Sequence, residues 1–231
     1  MKNFSDLKQT LGITFDNQDL LKQAFTHRSY INENPDSGLS HNERLEYLGD
    51  AVLELSITQY LFHTYPNTPE GELTAYRAAL VRTESISDVA RKLNFDDYLL
   101  LSKGEAKDTG KARDYILANT FEAFVGALYL DQGYNEAEKF IGKYLWPNII
   151  QIVEEGTWKD PKSLVQEKAQ DIFSVTPSYI VLNQVGPDHD KLFTVGIAFG
   201  DDLVAEGTGH SKQDAEQKAA RAALIKMGWK K

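Results

Sequence analysis

The chain has 231 residues, enough for one large or two ordinary domains, and its 42% apolar content can fill a core in each. It lacks cysteine, which excludes disulfides, thiolate zinc sites and cysteine nucleophiles together and fits a reducing compartment. The net charge of −9 speaks against a nucleic-acid partner on totals, but the excess is uneven, net −7 over residues 1–150 and −2 over 151–231, so the acids concentrate where they can hold cations.

The opening MKNFSDLKQTLGITF has no apolar leader, and no apolar run reaches membrane-spanning length. The expectation is a soluble, cytoplasmic chain with no membrane partner. Phe4 to Leu11 is a short amphipathic segment, and Asn17 to Ser29 carries Leu20, Leu21, Ala24 and Phe25 at helical spacing. Residues Asn32 to Ser40 are rich in Asn, Pro, Ser and Gly and read as a loop.

Asn42 to Thr64 is long enough for a central helix. Its first part, NERLEYLGDAVLEL, places Glu43, Glu46 and Asp50 at steps of three and four, on one helical face. Like charges there repel, so either the face is solvated or a cation sits on it. Leu45, Leu48, Val52 and Leu55 form an apolar stripe beside the acids. Gly49 inside the helix costs about 1 kcal/mol against alanine and points to close approach of another backbone.

Thr68-Pro69-Glu70-Gly71-Glu72 reads as a helix start, with Thr68 as N-cap, Pro69 at the first helical position and acids in the first turn. Thr83 to Leu93 also reads as helix. Ser102 to Arg113 is a polar loop with Lys103, Lys107, Lys111 and Arg113, either solvated or a strip for phosphates. In the helix Tyr115 to Leu130, Phe121, Phe124, Val125 and Leu128 make a core stripe. Glu122 lies among apolar neighbours and needs a partner, with Asn119 one turn before it on the same face. Asn135 to Val153 gives one more helix.

Residues 154–159 form a polar linker between residues 1–153 and 160–231. Beyond it the pattern changes. Pro161 to Phe173 is helical. Tyr179 and Val181 alternate, as do Phe193, Val195, Ile197 and Phe199, which is the period of strands. Leu203 to Thr208 is a third strand, and Ser211 to Met227 returns to helix with Ala215, Ala219, Ala222, Ala223 and Met227 inward. The expected fold class is an all-α N-terminal domain followed by a small α+β domain of α-β-β-β-α order.

Two resemblances stand on these segments. HNERLEYLGD resembles the signature motif of the bacterial ribonuclease III family, and PEGELTAYRAALV and ILANTFEAFVGALYLDQG extend the likeness over most of residues 1–150. The α-β-β-β-α order, GPDHD and GHSKQDAEQKAA resemble the double-stranded-RNA-binding domain. Together they imply an endonuclease domain, a metal-dependent endoribonuclease cutting both strands of duplex RNA in rRNA and mRNA processing. Its products would carry 5′-phosphates, 3′-hydroxyls and two-nucleotide 3′ overhangs.

The resemblance also implies roles for residues. Glu46, Asp50, Asn119 and Glu122 would hold Mg²⁺, Asn119 through its carbonyl oxygen or a metal-bound water, with Mn²⁺ as a possible substitute, and Asp50 and Glu122 would carry the catalysis. Glu43 and Glu70 would be further acids of the cleft. The chemistry suits carboxylates, because attack of water on a phosphodiester builds negative charge that hard, oxygen-liganded cations offset. Tyr47 would contact the partner subunit of a homodimer, though its residue type alone also suits an ordinary core aromatic. Gln166 and Glu167 would meet 2′-hydroxyls in one minor groove and His189 the next, while Ser211, Lys212 and Gln213 would face the phosphates between. Ser211 is equally a helix cap, and Lys212 equally a solvated residue.

The family most often has Asp where this chain has Asn119. Asn brings a carbonyl oxygen but no charge. The alternative to an active enzyme is therefore a weakened or inactive duplex-RNA-binding protein. The family also often carries a lysine run where Lys212 is followed by Gln213 and Asp214, which implies modest, salt-dependent phosphate affinity.

Overall fold

The computed structural model describes residues 3–187 and 191–229, so His189 falls outside the described residues. The chain forms two compact units, residues 1–158 and 159–231.

The first unit is helical: α1 (Phe4–Leu11), α2 (Gln18–Ala24), α3 (Arg28–Glu33), α4 (Glu43–Thr64), α5 (Glu70–Val81), α6 (Thr83–Lys92), α7 (Lys111–Gln132), α8 (Tyr134–Tyr144) and α9 (Pro147–Glu154). At its centre α7 is buried nearly all round, from Ile116 to Leu128, as expected of a core helix rather than a surface one. An aromatic cluster surrounds it, with Phe124 lying 4.9 Å from Phe140 and 5.3 Å from Phe95, ring centre to ring centre. Such tilted and edge-on pairs add to the apolar burial.

The main packing partner of α7 is α4, and glycine makes their contact possible. A Cβ on Gly49 would stand 1.7 Å from the Glu122 carbonyl oxygen, and one on Gly126 would stand 2.2 Å from that of Leu45. The two backbones interlock where a side chain has no room, as the mid-helix glycine suggested.

Several boundaries differ from the sequence reading. The helix expected over Asn17 to Ser29 breaks after Ala24. There the backbone bonds to remote chain: Leu100 N–H donates to the Phe25 oxygen (2.8 Å) and Asn42 N–H to the Thr26 oxygen (2.9 Å). The loop expected from Asn32 begins with the end of α3 and then a short 3₁₀ turn, Pro35–Ser37. Pro69, not Thr68, takes the N-cap position of α5. The basic loop is shorter, because Lys111 and Arg113 already belong to α7. The helix expected over Asn135 to Val153 splits at Leu145–Trp146, with Pro147 opening α9, since proline cannot donate within a continuing helix.

The second unit contains α10 (Pro161–Phe173), β1 (Pro177–Val185), β2 (Leu192–Phe199), β3 (Asp202–Gly209) and α11 (Lys212–Lys226), the expected order. The sheet is antiparallel in the order β1-β2-β3, with Val181 opposite Val195 and Val195 opposite Gly207. The register shifts between Val181 and Asn183. Val195 and Ile197 turn into the core with Val165, and the small residues Ala219, Ala220 and Ala223 bring α11 down onto the sheet. Gly207 allows this, since a Cβ there would meet the Ala219 nitrogen at 2.1 Å. Ala222 and Met227, expected inward, are only half-buried. Among the described residues no helix is long and apolar enough to cross a membrane.

Candidate active site

The α4–α7 crossing brings together acids that lie far apart in sequence. Glu46 and Asp50 stand one turn apart on α4, and Glu122 extends from α7 beside the Gly49–Gly126 contact. Glu122 and Asn119 are among the few positions on this stretch of α7 that the core does not enclose.

The electrostatics show how close the groups are. Burial pushes the Glu122 carboxyl up to about 8, and the charges of Asp50 and Glu46 push the same way. Burial also raises Glu46, with help from Glu43 and Asp50. No hydrogen-bond donor or cation meets the side chains of Glu46, Asp50 or Glu122 among the described residues. A buried carboxylate without a partner is costly, and here it keeps its proton near neutral pH.

Among the described residues no three His, Cys, Asp or Glu side chains already stand in an arrangement that could hold a metal ion. The carboxylates share one electrostatic neighbourhood without converging, as mutually repelling groups do. Their chemistry nevertheless fits a hard cation: oxygen donors, uncompensated charge and partial burial. Glu46, Asp50 and Glu122 are the acids that would have to close on such a cation, and Asn119, one turn before Glu122 on the same helix, would add a neutral amide oxygen.

Glu43 begins α4 and faces a different set, with Arg28 at 3.6 Å and His41 at 3.7 Å. Glu70, at the start of α5, lines a groove with Phe62, Leu73 and Arg77. Tyr47 is 83% exposed, and Leu55 and Phe62 are exposed further along α4. Beside Tyr47 lies an open hollow of about 610 Å³ lined by Leu20, Leu45, Leu48 and Leu130.

In the second unit, Gln166 and Glu167 are exposed on α10, whose start is fixed by the Asp160 carboxylate accepting from Ser163 N–H at 3.1 Å and from Gln217 Nε2 at 2.8 Å. The Ser211 hydroxyl accepts from Asp214 N–H at 3.1 Å and caps α11, leaving Lys212 and Gln213 exposed.

The sequence reading passed over Arg28, which pairs with Glu43, and the group His27, Ser29 and Ser102. His27 and Ser29 lie inside what read as a plain helix, and Ser102 inside a polar loop. Nothing local marks their contact.

Comparison with known proteins bears on both units. Residues 17–149 match the ribonuclease-III-like family, and residues 161–227 match the double-stranded RNA binding motif. The chain is 47% identical over 226 residues to ribonuclease 3 of Streptococcus agalactiae, covering 96% of this chain and 97% of that one. It is 44% identical over 223 residues to ribonuclease 3 of Borreliella burgdorferi, covering 96% and 91% respectively. The nuclease domain of ribonuclease III from Campylobacter jejuni has a similar solved structure, with 38% identity, a TM-score of 0.56 and coverage of 63% of this chain and 99% of that one. That structure is described as showing flexibility in a region involved in dimer formation.

Proposed function

The chain belongs to the ribonuclease III family and is a double-stranded-RNA endoribonuclease, and from that premise we propose that it hydrolyses both strands of the duplex with a divalent cation, Mg²⁺ first and Mn²⁺ as a substitute. The products of this reading carry 5′-phosphates, 3′-hydroxyls and two-nucleotide 3′ overhangs. Its setting is rRNA and mRNA processing in the cytoplasm. The division of labour follows the sequence: nuclease domain over 1–153, connector over 154–159 and RNA-binding domain over 160–231. One observation supports this reading above the rest: Glu46, Asp50 and Glu122 share one electrostatic neighbourhood without a counter-charge, in a chain that also carries a double-stranded-RNA-binding motif.

When bound, the cation supplies positive charge for the leaving 3′-oxygen and makes water a better nucleophile. Glu46 and Asp50 orient from one helix and Glu122 from the other. Burial, with Asp50 and Glu46, favours a proton on the Glu122 carboxyl in the cation-free chain, and the deprotonated carboxylate would be the form that holds a cation. Glu43 and Glu70 are further cleft acids, and Gln166, Glu167, His189, Ser211, Lys212 and Gln213 meet the duplex. The test is a long RNA duplex incubated with Mg²⁺ at moderate salt. Shortening that EDTA stops is expected; persistent binding without any shortening would remove the cleavage claim.

Asn119 gives one reason for a second reading, a duplex-binding protein of weakened activity. Asn119→Asp is expected to tighten Mg²⁺ by roughly tenfold, the worth of one charge-assisted contact, as read from the Mg²⁺ dependence of cleavage. A gain of several orders of magnitude at saturating Mg²⁺ would instead favour the second reading.

The exposed Tyr47 supports a homodimer, in which each subunit's tyrosine is covered by the other. Tyr47→Ala is expected to weaken association by at least about tenfold, as large aromatic anchors do. Sedimentation equilibrium measures it, and an unchanged association constant counts against this role.

A further inference from the structure

The stretch joining α2 to α3 is tied on both sides. On one side, Asn42, the residue before α4, donates its backbone N–H to the Thr26 oxygen (2.9 Å) and its side-chain amide to the Ala24 oxygen (3.1 Å). On the other, His27 N–H donates to the Leu100 oxygen at 3.0 Å. The His27 side chain then continues the contact. Its Nδ1 accepts from Ser29 N–H at 3.3 Å, which fixes the neutral tautomer with the proton on Nε2. With Nδ1 an acceptor, the Ser29 hydroxyl, 2.8 Å away, donates to it, and the Ser29 oxygen accepts from Ser102 N–H at 3.0 Å. The Ser102 hydroxyl in turn accepts from Glu105 N–H at 3.2 Å.

This relay holds the near end of the basic segment. The far end is held by Arg113, whose guanidinium donates to the backbone oxygens of Glu105, Ala106 and Asp108. Between these anchors Lys103, Lys107 and Lys111 are exposed, and no side-chain ion pair occupies them among the described residues. The segment runs directly into α7, the helix that carries Asn119 and Glu122.

We propose that neutral His27 is a positioning residue for duplex cleavage, holding Ser29, and through it the Ser102 backbone, so that the lysines at the head of α7 meet the substrate phosphates in one fixed place. The inference rests on the cleavage reading above and adds to it the device that presents this segment.

The charged groups around His27 are Glu105 on the loop, Glu43 at the start of α4, Arg113 on α7 and Arg28 on α3; His41 shares Glu43. Burial lowers the imidazole below its ordinary value, Glu105 and Glu43 work against that, and Arg113 and Arg28 add to it. A base lowered on folding contributes stability above its ordinary pKa and loses it as pH falls through the folded value. Acid therefore takes away the Nδ1 acceptor and loosens Ser102.

Two variants of the full chain test this. His27→Ala removes the acceptor, whereas His27→Asn offers a carbonyl oxygen at the same cap position and cannot titrate. The protection factor of the Ser102 amide, measured without RNA, reads the relay. In His27→Ala it is expected to fall about fivefold to tenfold, the worth of one net hydrogen bond. KM for a duplex is expected to rise with kcat nearly unchanged. His27→Asn is expected to restore both and to abolish the rise in KM at acid pH expected of the unmodified chain. Wild-type protection or wild-type KM in His27→Ala would overturn the proposal, as would an acid limb that survives in His27→Asn. Since the amide measurement needs no cleavage, loss of protection in a chain that never cuts RNA would sustain the relay while removing the cleavage reading and its substrate role.

Discussion

Glu122→Gln is expected to lower duplex cleavage by roughly 10³-fold or more, the scale on which loss of a group stabilising transition-state charge is felt. Duplex binding should stay within a few-fold, because Glu122 is not among the residues proposed to contact the duplex. The same substitution should stabilise the cation-free protein. The carboxyl sits at about 8 when folded against an ordinary 4.5, so the folded state keeps a proton that the unfolded chain releases. Stability from this source is full below the ordinary value and is lost as pH rises through about 8. Raised Glu46 adds to the slope with the same sign. Glutamine mimics the protonated acid and removes most of the loss, on the order of a few kcal/mol. Mg²⁺ should stabilise the unmodified chain at pH 8 and do little for Glu122→Gln. Thermal unfolding at several pH values, with and without Mg²⁺, measures all three. A slope undiminished in Glu122→Gln would mean that Glu122 is not the buried, raised acid described, since Glu46 accounts only for the remainder.

Gly49→Ala is expected to destabilise the first unit by at least about 3 kcal/mol, at the upper end of overpacking costs. Helix propensity alone predicts the opposite sign, since alanine is favoured over glycine by about 1 kcal/mol. The added methyl would meet the Glu122 carbonyl oxygen at 1.7 Å and the Gly126 nitrogen at 2.8 Å, and neither backbone can move aside. Gly71→Ala provides the control. It lies in helix α5 with nothing within 4 Å of a new Cβ, so it should be neutral or slightly stabilising. Denaturant unfolding of both variants decides between crowding and propensity, and a stabilised Gly49→Ala would refute the interlocked crossing. Cleavage should fall with stability, because the same contact sets the acids against one another.

Much of this site was legible because its cause is local. Steps of three and four place Glu46 and Asp50 on one face, and Gly49 in a helix needs a reason that a close neighbour supplies. The partner glycine, Gly126, stood in the sequence too, and pairing the two would have located the crossing. The strands were legible from strict alternation of Val195 and Ile197. Val181, expected to alternate inward, is instead 43% exposed beside a register shift that one strand's pattern cannot reveal. The break after Ala24 was hidden because its bonds go to Asn42 and Leu100, remote in sequence. Pro147 was a visible stop signal outweighed by apolar periodicity on both sides. Glu70 was legible only as part of a motif; that it lines a groove with Phe62, Leu73 and Arg77 needed coordinates.

The two ends of α7 are both moored. At its start Arg113 binds three backbone oxygens of the preceding loop, and Asp114 pairs with Arg91 of α6. At its finish the Asp131 carboxylate accepts the N–H groups of Asp16 and Asn17 at 2.9 and 2.7 Å. Helices ordinarily melt from their tips inward, and this one has neither tip free. Glu122 is therefore displaced only when the whole unit opens, and heat should extinguish catalysis at the melting transition rather than below it.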